Sequence, residues 1–339
     1  MLRIVVGGQF GSEGKGRVCA ALTKIEEYAL CIRTGGPNAG HSYQDGSMRY
    51  IFRQLPISTN EKTRLLIPAG AVIDPLVMSD ELAQTKHSVG IDGLATILHP
   101  DDSSAERGMF DRISSTQTGT GYAHARRVMR TTTTMLAKDY KPFRKYLTCV
   151  ADEAFTALRN KKNVLIEGTQ GFGLSNYHSP FYPCATSKDT TAAGVLSEVG
   201  LGPMFVEDVI VVFRTFPIRV AGKQAGPLLE EIDWETVTKE SGYPHPVEER
   251  TTVTGRVRRV GRWNMALAAA AVKANYPCRL AINFLDYLSY YNMEATTERA
   301  LMPKTRDFLK SVVCMTDSDI LMVGCGPDLK QTIFMGMVK

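Results

Sequence analysis

Residues 2–16 constrain the fold of this chain more than any other segment. The apolar run Leu2–Val6 is followed at residues 7–16 by Gly-Gly-Gln-Phe-Gly-Ser-Glu-Gly-Lys-Gly. A strand that passes through a glycine-rich turn into a helix presents backbone N–H groups to an anion, and the helix N-terminus adds partial positive charge. We therefore predict a phosphate-binding strand–loop–helix unit at this point of the chain.

This loop differs from the common P-loop. That motif has four residues between its first glycine and Gly-Lys-Ser/Thr. Here Gln9 occupies the first position, and Gly16 follows Lys15 where a hydroxyl residue is required. The spacing therefore disfavours a generic P-loop ATPase and predicts a different phosphate-binding loop, in which Ser12 is the unusual residue.

Composition limits the classes of function. The 339 residues are 44% hydrophobic and 22% charged, with a net charge of +5. These values are typical of a globular protein that binds small anions, and they argue against nucleic-acid or membrane partners. The seven cysteines form no Cys-x-x-Cys pair, so we expect a reducing, cytoplasmic environment. Because the chain starts directly in a predicted strand, we also expect no signal peptide.

Apolar, β-branched runs alternate with segments of helical periodicity. This pattern predicts an α/β fold with a mostly parallel central sheet and helices on both faces. No linker or repeat interrupts it, so we predict a single domain over residues 1–339, with a loop at Ser114–Gly121. The predicted strands are Leu2–Val6, Tyr28–Ile32, Leu65–Ile67, Asn163–Ile166, Asp208–Phe213, Arg279–Phe284 and Asp319–Val323. The predicted helices are Gly14–Glu27, Asp74–Lys86, Pro142–Asn160, Thr191–Val199, Trp234–Ser241, Arg262–Ala274 and Pro303–Val312.

Polar clusters follow several predicted strands, at the edge of an α/β sheet where ligands bind. Each alone is a weak signal, because a turn, a helix cap or a solvated charge run explains it equally well. Their chemistry nevertheless suits anions, since arginine forks bind phosphate or carboxylate and histidine can act as a general acid. The clusters are Gly35–His41, Thr116–Gly121 with Arg126, Arg127 and Arg130, Glu167–Gly171 with Tyr182–Thr191, Thr254–Arg259, Asn283–Asp286 and Gly324–Asp328.

Taken in order, these clusters resemble the adenylosuccinate synthetase family. The matching segments run from Ile4 to Asp328, and seven in register are far more specific than any one of them. The resemblance implies the P-loop-NTPase-like fold of that family, Mg²⁺, and a homodimer. It also implies a ligase that joins aspartate to C6 of a purine monophosphate, after a nucleoside triphosphate has phosphorylated O6. The matching residues are Gly14-Lys15-Gly16, Asn38-Ala39-Gly40-His41, Ala125-Arg126-Arg127, Glu167-Gly168-Thr169-Gln170-Gly171, Thr186-Ser187 with Thr190-Thr191-Ala192, Thr254–Arg259 and Gly326-Pro327-Asp328.

The resemblance also implies roles for individual residues. His41 would be the general acid toward the donor's β-phosphate, and Arg126 would reach the substrate phosphate from the partner subunit. The implied catalytic residues are Ser12, Lys15, His41 and Gln170, and the implied Mg²⁺ ligands are Ser12 and Gly40. The implied donor-binding residues are Gly11, Ser12, Glu13, Gly14, Lys15, Gly16, Gly40, His41, Ser42, Asp286, Gly324, Cys325 and Gly326. The implied purine monophosphate-binding residues are Ser12, Asn38, Ala39, Thr116, Gln117, Arg126, Gln170 and Thr186, and those for aspartate are Val253, Thr254, Gly255, Arg256, Arg258 and Arg259.

Three residues depart from the family pattern. Ser12 stands where the family has the aspartate that takes the N1 proton and ligates Mg²⁺; serine is a poor base, but it leaves room for a purine 2-amino group. Phe284 stands where GTP-using members have lysine, which favours ATP or dATP as donor. Val257 replaces a frequent arginine, which is compatible with a deoxyribose.

These departures predict dGMP as the purine substrate, as in a phage-borne branch of the family that makes precursors of 2-aminoadenine nucleotides. The base that replaces the aspartate stays open among the aspartate substrate, a water on Mg²⁺ and Ser12 itself. Two alternative functions also stay open: an ordinary adenylosuccinate synthetase that uses IMP and GTP, and a nucleotide-binding regulator without turnover.

Overall fold

The computed structural model describes residues 1–107, 112–251 and 255–336. Its strands are Leu2–Gly7 (β1), Leu30–Arg33 (β2), His41–Asp45 (β3), Met48–Phe52 (β4), Arg64–Ile67 (β5), Val72–Ile73 (β6), Val89–Asp92 (β7), Thr96–Ile97 (β8), Leu147–Thr148 (β9), Val164–Glu167 (β10), Val206–Arg214 (β11), Ile218–Arg219 (β12), Glu231–Ile232 (β13), Arg259–Gly261 (β14), Arg279–Asn283 (β15), Ile320–Gly324 (β16) and Thr332–Phe334 (β17). Its helices are Lys15–Ile25 (α1), Pro75–Gln84 (α2), Pro100–Ala105 (α3), Thr120–Val128 (α4), Val150–Arg159 (α5), Ala192–Val199 (α6), Trp234–Ser241 (α7), Met265–Asn275 (α8) and Pro303–Thr316 (α9).

A mostly parallel sheet forms the centre of the fold and confirms the predicted α/β class. Within the described ranges it has ten strands, in the order β17-β16-β15-β11-β1-β10-β2-β5-β7-β9. The β17 strand pairs antiparallel with β16, and the other neighbours in this sheet are parallel. Because β1 lies between β10 and β11, the chain leaves it toward one side of the sheet and later returns on the other. The loops that follow these strands therefore meet at the carboxyl edge beside β1, where ligands bind in such folds.

Side chains that alternate along the strands build a hydrophobic core on each face of the sheet. In β1, Ile4 and Val6 belong to one core, whereas Val5 belongs to the other. Helix α1 packs on the Val5 side through Val18 and Leu22, because apolar residues recur there at helical spacing. Helices α5, α6, α8 and α9 contribute to the opposite core. The α1 helix is thereby held rigidly against β1, which fixes the glycine-rich loop between them.

Three segments differ from the predicted elements. The helix predicted at Pro142–Asn160 is divided, because Leu147 pairs with β7 and the extended backbone of Cys149 precedes α5. The loop predicted at Ser114–Gly121 ends inside α4. The polar segment after Gly40 forms the antiparallel hairpin β3–β4.

In the described part of the chain, no helix combines the length and apolar character needed to cross a membrane.

Candidate active site

The glycine-rich loop between β1 and α1 is closed by a buried carboxylate. Glu13 Oε1 accepts the backbone N–H groups of Gln9 at 3.0 Å and Gly11 at 2.7 Å. Its Oε2 lies 2.9 Å from Lys15 Nζ, which also donates to the Gly11 carbonyl at 3.1 Å. Gly14 turns the chain into α1 with a φ of 87°, a conformation that glycine adopts without steric cost. The lysine predicted to meet the donor phosphates is therefore held at the loop by a neighbouring carboxylate.

A cleft of about 460 Å³ opens beside this loop. Among the described residues, four arginines and one carboxylate line it, so its field favours anionic ligands. The arginines are Arg112, Arg219, Arg256 and Arg258, and the carboxylate is Glu106. The predicted site residues that line the cleft are Gly11, Ser12, Asn38, Ala39, Gly40, Thr116, Gln170, Thr186, Arg256 and Arg258.

Ser12 lies in this cleft and contributes a hydroxyl in place of a charge. The adjacent Glu13 is 0% exposed, and its carboxylate is directed into the loop. It therefore does not restore a negative charge at the position of Ser12. The Ser12 carbonyl accepts a hydrogen bond from Arg214 Nη1 at 3.0 Å, which fixes the backbone at this residue.

His41 begins β3 and packs against Glu167 at the end of β10. Its Nδ1 lies 2.8 Å from Glu167 Oε1, which also accepts Arg33 Nη1 at 2.7 Å. Its Nε2 lies 2.9 Å from the Leu55 carbonyl. Burial, and then the charge of Arg33, lower the pKa of His41 against the opposing effect of Glu167. A role toward the donor's β-phosphate therefore requires His41 to exchange one of these two contacts.

Ser42 and Gly16 bring the β3–β4 hairpin against α1. A Cβ atom at Gly16 would lie 2.6 Å from Ile57 Cδ1 and 3.2 Å from His41 Cβ, so a larger residue here would require both side chains to shift. Ser42 pairs with Ile51 in the hairpin. The close packing places His41 and Ser42 beside the first turn of α1, where the predicted donor phosphates would lie.

Arg126 is turned away from the cleft of its own subunit, and its predicted contact with a substrate phosphate in the partner subunit stays a prediction. Its Nε and Nη2 donate to the two carboxylate oxygens of Asp102 at 2.9 and 2.8 Å, and its Nη1 donates to the Thr133 carbonyl at 2.9 Å. The residue is 8% exposed. A buried guanidinium requires such a carboxylate, and this partner lies 24 residues away in sequence. Arg130, just beyond the same helix, is exposed instead.

Glu106 is a cleft residue that the sequence reasoning missed. Its Oε2 accepts the N–H of Gly119 at 2.9 Å, and its Oε1 accepts those of Gly121 at 2.6 Å and Tyr122 at 3.1 Å. These groups at the start of α4 have no intrahelical partners, and a carboxylate is stabilised there by the helix dipole. Glu106 thereby fixes the loop that carries Thr116 and Gln117. The nearest of these contacts spans 13 residues, so no local pattern could reveal it.

Of the residues predicted to bind aspartate, Arg256 and Arg258 line the cleft, whereas Val253 and Thr254 lie outside the described residues. Two contacts bring together the ends of the segment that carries Arg256. The Arg258 N–H donates to the Glu249 carbonyl at 2.8 Å, and Arg250 pairs with Val257. Gly255 adopts a positive φ of 64° at the described end of this segment. We call residues 250–258 the arginine loop.

Arg259 follows the arginine loop but does not line the cleft. It forms a fork with Glu231, through Nε at 2.8 Å and Nη2 at 2.5 Å. Its Nη1 donates to the Gly226 carbonyl at 2.8 Å. The predicted contact of Arg259 with aspartate stays a prediction, and it requires the guanidinium to exchange the Glu231 carboxylate for that of the substrate. Gln117 also lies outside the lining, with its N–H bound to Ser115 Oγ at 3.2 Å.

The residues predicted to meet the donor base come together at the ends of β15 and β16. Asp286 is 4% exposed; its Oδ2 accepts the hydroxyl of Tyr243 at 2.5 Å, and its Oδ1 has no hydrogen-bond partner among the described residues. Burial raises the pKa of Asp286. Arg17 of α1 donates to the Gly326 carbonyl and, at 2.9 Å, to that of Asp328, which fixes the segment of Gly324 and Cys325. We call this group the base pocket.

The comparison with known proteins decides the family. The adenylosuccinate synthetase family profile matches residues 4–154 and 132–293. The chain belongs to this family. Adenylosuccinate synthetases of Thermococcus onnurineus and Pyrococcus horikoshii are 40% and 39% identical to it, each alignment covering 97% of both chains. The chain is therefore a carbon–nitrogen ligase of the adenylosuccinate synthetase type.

Two solved structures have the same fold. Adenylosuccinate synthetase from Plasmodium falciparum, fully ligated, has a TM-score of 0.86 at 19% identity and covers 98% of this chain and 99% of its own. The succinoaminodeoxyadenylate synthetase of cyanophage S-2L, bound to dGMP and dATP, has a TM-score of 0.83 at 24% identity and covers 98% of this chain and 95% of its own.

Adenylosuccinate synthetases act on nucleotides and aspartate, use Mg²⁺ and a nucleoside triphosphate, and are typically dimeric. Within the described ranges, no cluster of three or more His, Cys, Asp or Glu side chains could hold a metal ion. Mg²⁺ needs few protein ligands when nucleotide phosphates and water complete its shell. Ser12 and Gly40 both line the cleft and offer a hydroxyl and a carbonyl oxygen. These residues fit an ion whose negative ligands come from the donor.

Proposed function

We propose that the protein joins L-aspartate to C6 of dGMP with ATP or dATP as donor. The donor's γ-phosphoryl group passes to O6 of the purine as the N1 proton leaves to a base, and the donor departs as a nucleoside diphosphate. The aspartate amine then bonds to C6 and loses a proton, while the C6–O6 bond breaks and phosphate leaves. The product is N6-succino-2-amino-2′-deoxyadenylate, a precursor of 2-aminoadenine nucleotides. The observation that carries the choice of dGMP is the position of Ser12 in the cleft.

Ser12 favours a 2-aminopurine for reasons of size, charge and hydrogen bonding. Serine is shorter than aspartate, so it leaves room beside the N1/C2 edge of the base. Its hydroxyl oxygen can accept a hydrogen bond from the 2-amino group of guanine, a group that hypoxanthine lacks. A pocket that bonds a substrate N–H rejects the analogue without it, because its own polar group is left unpaired.

The other cleft residues support the same reaction class. Phosphoryl transfer is catalysed mainly by positioning and by neutralising charge. We propose that Lys15 and His41 act on the donor phosphates, and that Arg256 and Arg258 bind the aspartate carboxylates. Asn38, Ala39, Thr116, Gln170 and Thr186 are proposed to hold the purine monophosphate. Because Glu13 is bound within its own loop, it does not replace the missing aspartate as base.

The named relatives favour a second candidate, an ordinary adenylosuccinate synthetase that uses IMP and GTP. Relatives near 40% identity over 97% of the chain carry that name. The cyanophage protein was solved with dGMP and dATP, so a protein of this fold can bind that pair of nucleotides. At 24% identity, the likeness to this chain extends to the fold alone. The dGMP candidate fits serine at position 12, whereas the IMP candidate fits the aspartate that the family has there.

The Ser12→Asp variant separates the two candidates. With the unaltered enzyme, ATP and aspartate, we expect turnover of dGMP and little turnover of IMP. In Ser12→Asp we expect kcat/KM for dGMP to fall about 100-fold, the size of effect expected when a pocket no longer fits its substrate group, and kcat/KM for IMP to rise. The measurement is phosphate release with each purine monophosphate at saturating aspartate.

The matched control is Ser79→Asp, the same change on the exposed surface of α2. It is expected to leave both substrates unchanged. Turnover of IMP and none of dGMP by the unaltered enzyme would contradict the dGMP proposal and support the second candidate.

For the donor we propose ATP or dATP, on the basis of the base pocket. Asp286 has one buried acceptor without a partner among the described residues, Oδ1, because Tyr243 donates to Oδ2. The adenine amino group needs one acceptor, whereas the N1–H and 2-amino group of guanine together need two. Phe284 offers no cation to guanine, and its ring lies 3.9 Å from Arg214 Cζ. A single unpaired carboxylate oxygen therefore suits adenine.

Removing the Tyr243 hydroxyl tests this assignment. In Tyr243→Phe, both oxygens of Asp286 become open, so we expect the ratio of kcat/KM for GTP to that for ATP to rise about tenfold, the effect of one hydrogen bond to a charged group. The control is Tyr291→Phe, at a tyrosine that is 66% exposed. A preference for GTP in the unaltered enzyme, measured as phosphate release at equal concentrations of ATP and GTP, would overturn the donor proposal.

Three further expectations are proposals of the same kind. We infer that residues 1–339 form one domain, since loops from both halves of the chain build one cleft. We infer a cytoplasmic enzyme, in the host cytoplasm if a phage encodes it. We also infer a homodimer, in which Arg126 would exchange Asp102 for the substrate phosphate of the partner subunit.

A further inference from the structure

Arg219 is a buried arginine in the wall of the cleft. It ends β12, is 3% exposed and is one of the lining residues. Its Nη1 donates to the Pro227 carbonyl at 3.1 Å, and its Nη2 donates to the Cys184 carbonyl at 2.9 Å. Its Cζ lies 4.5 Å from the centre of the Phe10 ring and 5.4 Å from that of Phe181. The guanidinium is therefore held in place by carbonyl groups and aromatic rings, all of them neutral.

The charge of Arg219 has no counter-ion in the part of the chain that the structure describes. No carboxylate there forms an ion pair with it, and burial, with a smaller effect from the charge of Arg259, lowers the pKa of Arg219 to about 10. The side chain is nevertheless charged at neutral pH. Because a buried charge without a counter-ion is costly, an anion bound in the cleft would relieve that cost. Other buried arginines that do form ion pairs with carboxylates are Arg3, Arg33, Arg126 and Arg214.

The other arginines that line the cleft differ from Arg219 in exposure or in proposed role. Arg256 and Arg258 are proposed to bind the two carboxylates of aspartate. Arg112 is exposed, so water already solvates its charge. Arg219 is therefore the buried cation of the described lining that the proposed function has not yet used.

The purine monophosphate is the ligand that needs this charge. Its phosphate group is mostly dianionic at pH 7. Arg126, predicted to reach that phosphate from the partner subunit, is bound to Asp102. Arg219 binds the carbonyl of Cys184, two residues before Thr186, so its charge lies beside the segment proposed to hold the monophosphate. The residues proposed for this ligand are all uncharged: Asn38, Ala39, Thr116, Gln170 and Thr186.

We propose that Arg219 supplies the positive charge that retains the phosphate group of the purine monophosphate in the cleft. It acts through its charge, while its two Nη groups stay on the carbonyls of Cys184 and Pro227. This inference rests on the proposed binding of a purine monophosphate in the cleft. The corresponding nucleoside leaves Arg219 without a counter-ion, so the cleft discriminates against it.

The test compares two ligands that differ only in the phosphate group. Arg219→Met removes the charge, while the unbranched methionine can still pack on Phe10 and Phe181. The Kd values of dGMP and deoxyguanosine are measured by calorimetry. In the variant we expect the Kd of dGMP to rise about tenfold, as for a charge interaction in a partly buried site, and that of deoxyguanosine to change less than about twofold. Equal losses for both ligands would show that Arg219 only shapes the cleft, and they would overturn the proposal.

The matched control is Arg279→Met, the same change at an arginine that has a counter-ion. Arg279 binds Asp208 through Nε at 3.1 Å and Nη2 at 2.5 Å, at the start of β15 and away from the cleft. It is expected to leave the Kd of both ligands unchanged. The affinity for aspartate, measured at saturating dGMP, is expected to be the same in all three proteins. A loss in Arg219→Met that is confined to aspartate would contradict the assignment to the phosphate group.

Two further variants separate charge from packing. Arg219→Lys keeps the charge but loses the planar fork, and it is expected to retain most of the affinity for dGMP. If Arg219→Met folds poorly, as judged by thermal unfolding, Arg219→Gln replaces it in the comparison, because its amide can still donate to the Cys184 carbonyl. A lysine variant that loses as much dGMP affinity as the neutral variant would argue against a role of the charge.

The choice of purine does not affect this test. If the unaltered enzyme turns over IMP instead of dGMP, the same comparison is made with IMP and inosine. A failure of the dGMP proposal therefore leaves the role of Arg219 measurable, and a failure of the Arg219 proposal leaves the substrate preference standing.

Discussion

At the residue scale, Glu167 ties the centre of the sheet to the candidate site. It is 2% exposed at the end of β10, beside His41 and Arg33. Burial opposes its ionisation, but the charges and hydrogen bonds of His41 and Arg33 outweigh burial and lower its pKa from 4.5 to about 2. This carboxylate is therefore ionised in the folded protein at every pH near neutrality, and it keeps His41 oriented.

The lowered pKa of Glu167 predicts a loss of stability in acid. Its contribution is complete above its ordinary pKa and is lost as the pH falls from about 4.5 toward about 2, which amounts to about 3 kcal/mol. In Glu167→Gln we expect that part of the pH dependence to disappear, and we expect the free energy of unfolding at pH 7 to fall by about 3–5 kcal/mol because Arg33 stays buried without its partner. Urea denaturation at a series of pH values measures both effects.

Glu61→Gln is the control for this prediction. Glu61 forms an exposed ion pair with Lys86 at 3.5 Å, and such pairs contribute about 0–1 kcal/mol. An acid-unfolding profile of Glu167→Gln that matches the unaltered protein would show that Glu167 does not carry the effect.

At the element scale, α4 packs on its own subunit through Arg126 and its first turn, whereas its C-terminal end is exposed. Arg126 is buried on Asp102, and Glu106 caps the first turn. The apolar side chains of Val128 and Met129, at the other end of the helix, are 78% and 73% exposed. Exposed apolar residues grouped on one element are typical of protein–protein contacts, which makes this end of α4 our candidate for the dimer interface.

A charged residue at this end of α4 is expected to separate the subunits. In Val128→Glu combined with Met129→Glu, we expect the sedimentation coefficient to change from that of a dimer to that of a monomer. Thermal stability of the monomer should change little, because these side chains are already exposed. Met204→Glu, at a residue 95% exposed elsewhere, serves as control. A double variant that stays dimeric would place the interface on another surface, and a monomeric unaltered protein would contradict the dimer itself.

At the scale of the whole molecule, the central sheet was predictable because buried parallel strands are nearly all apolar. The seven predicted strands all lie in the ten-stranded sheet of the described residues, with ends shifted by a few residues. The β3–β4 hairpin was missed because its second strand is mostly exposed and has no apolar alternation. The start of α4 was missed because its cap, Glu106, acts from outside the local sequence.

The candidate site was predictable where glycine and polar residues lie in the loops after strands. Ser12, Gly40 and Gln170 lie in the loops after β1, β2 and β10, and they line one cleft. The direction in which an arginine side chain points was not predictable, because it depends on carboxylates that are remote in sequence. Asp102 binds Arg126 in the interior, and Glu231 holds Arg259 away from the cleft. Pairing across such distances leaves no periodic pattern in the sequence.

The contacts of Arg17 have a consequence for protein synthesis. Arg17 lies in α1, yet its guanidinium holds the carbonyls of Gly326 and Asp328 and the hydroxyl of Thr332. A chain still emerging from the ribosome can expose its phosphate loop early, but it cannot assemble the base pocket until those residues have been translated. An interrupted translation product that ends before Gly326 therefore lacks the base pocket that the finished enzyme is proposed to use for its donor.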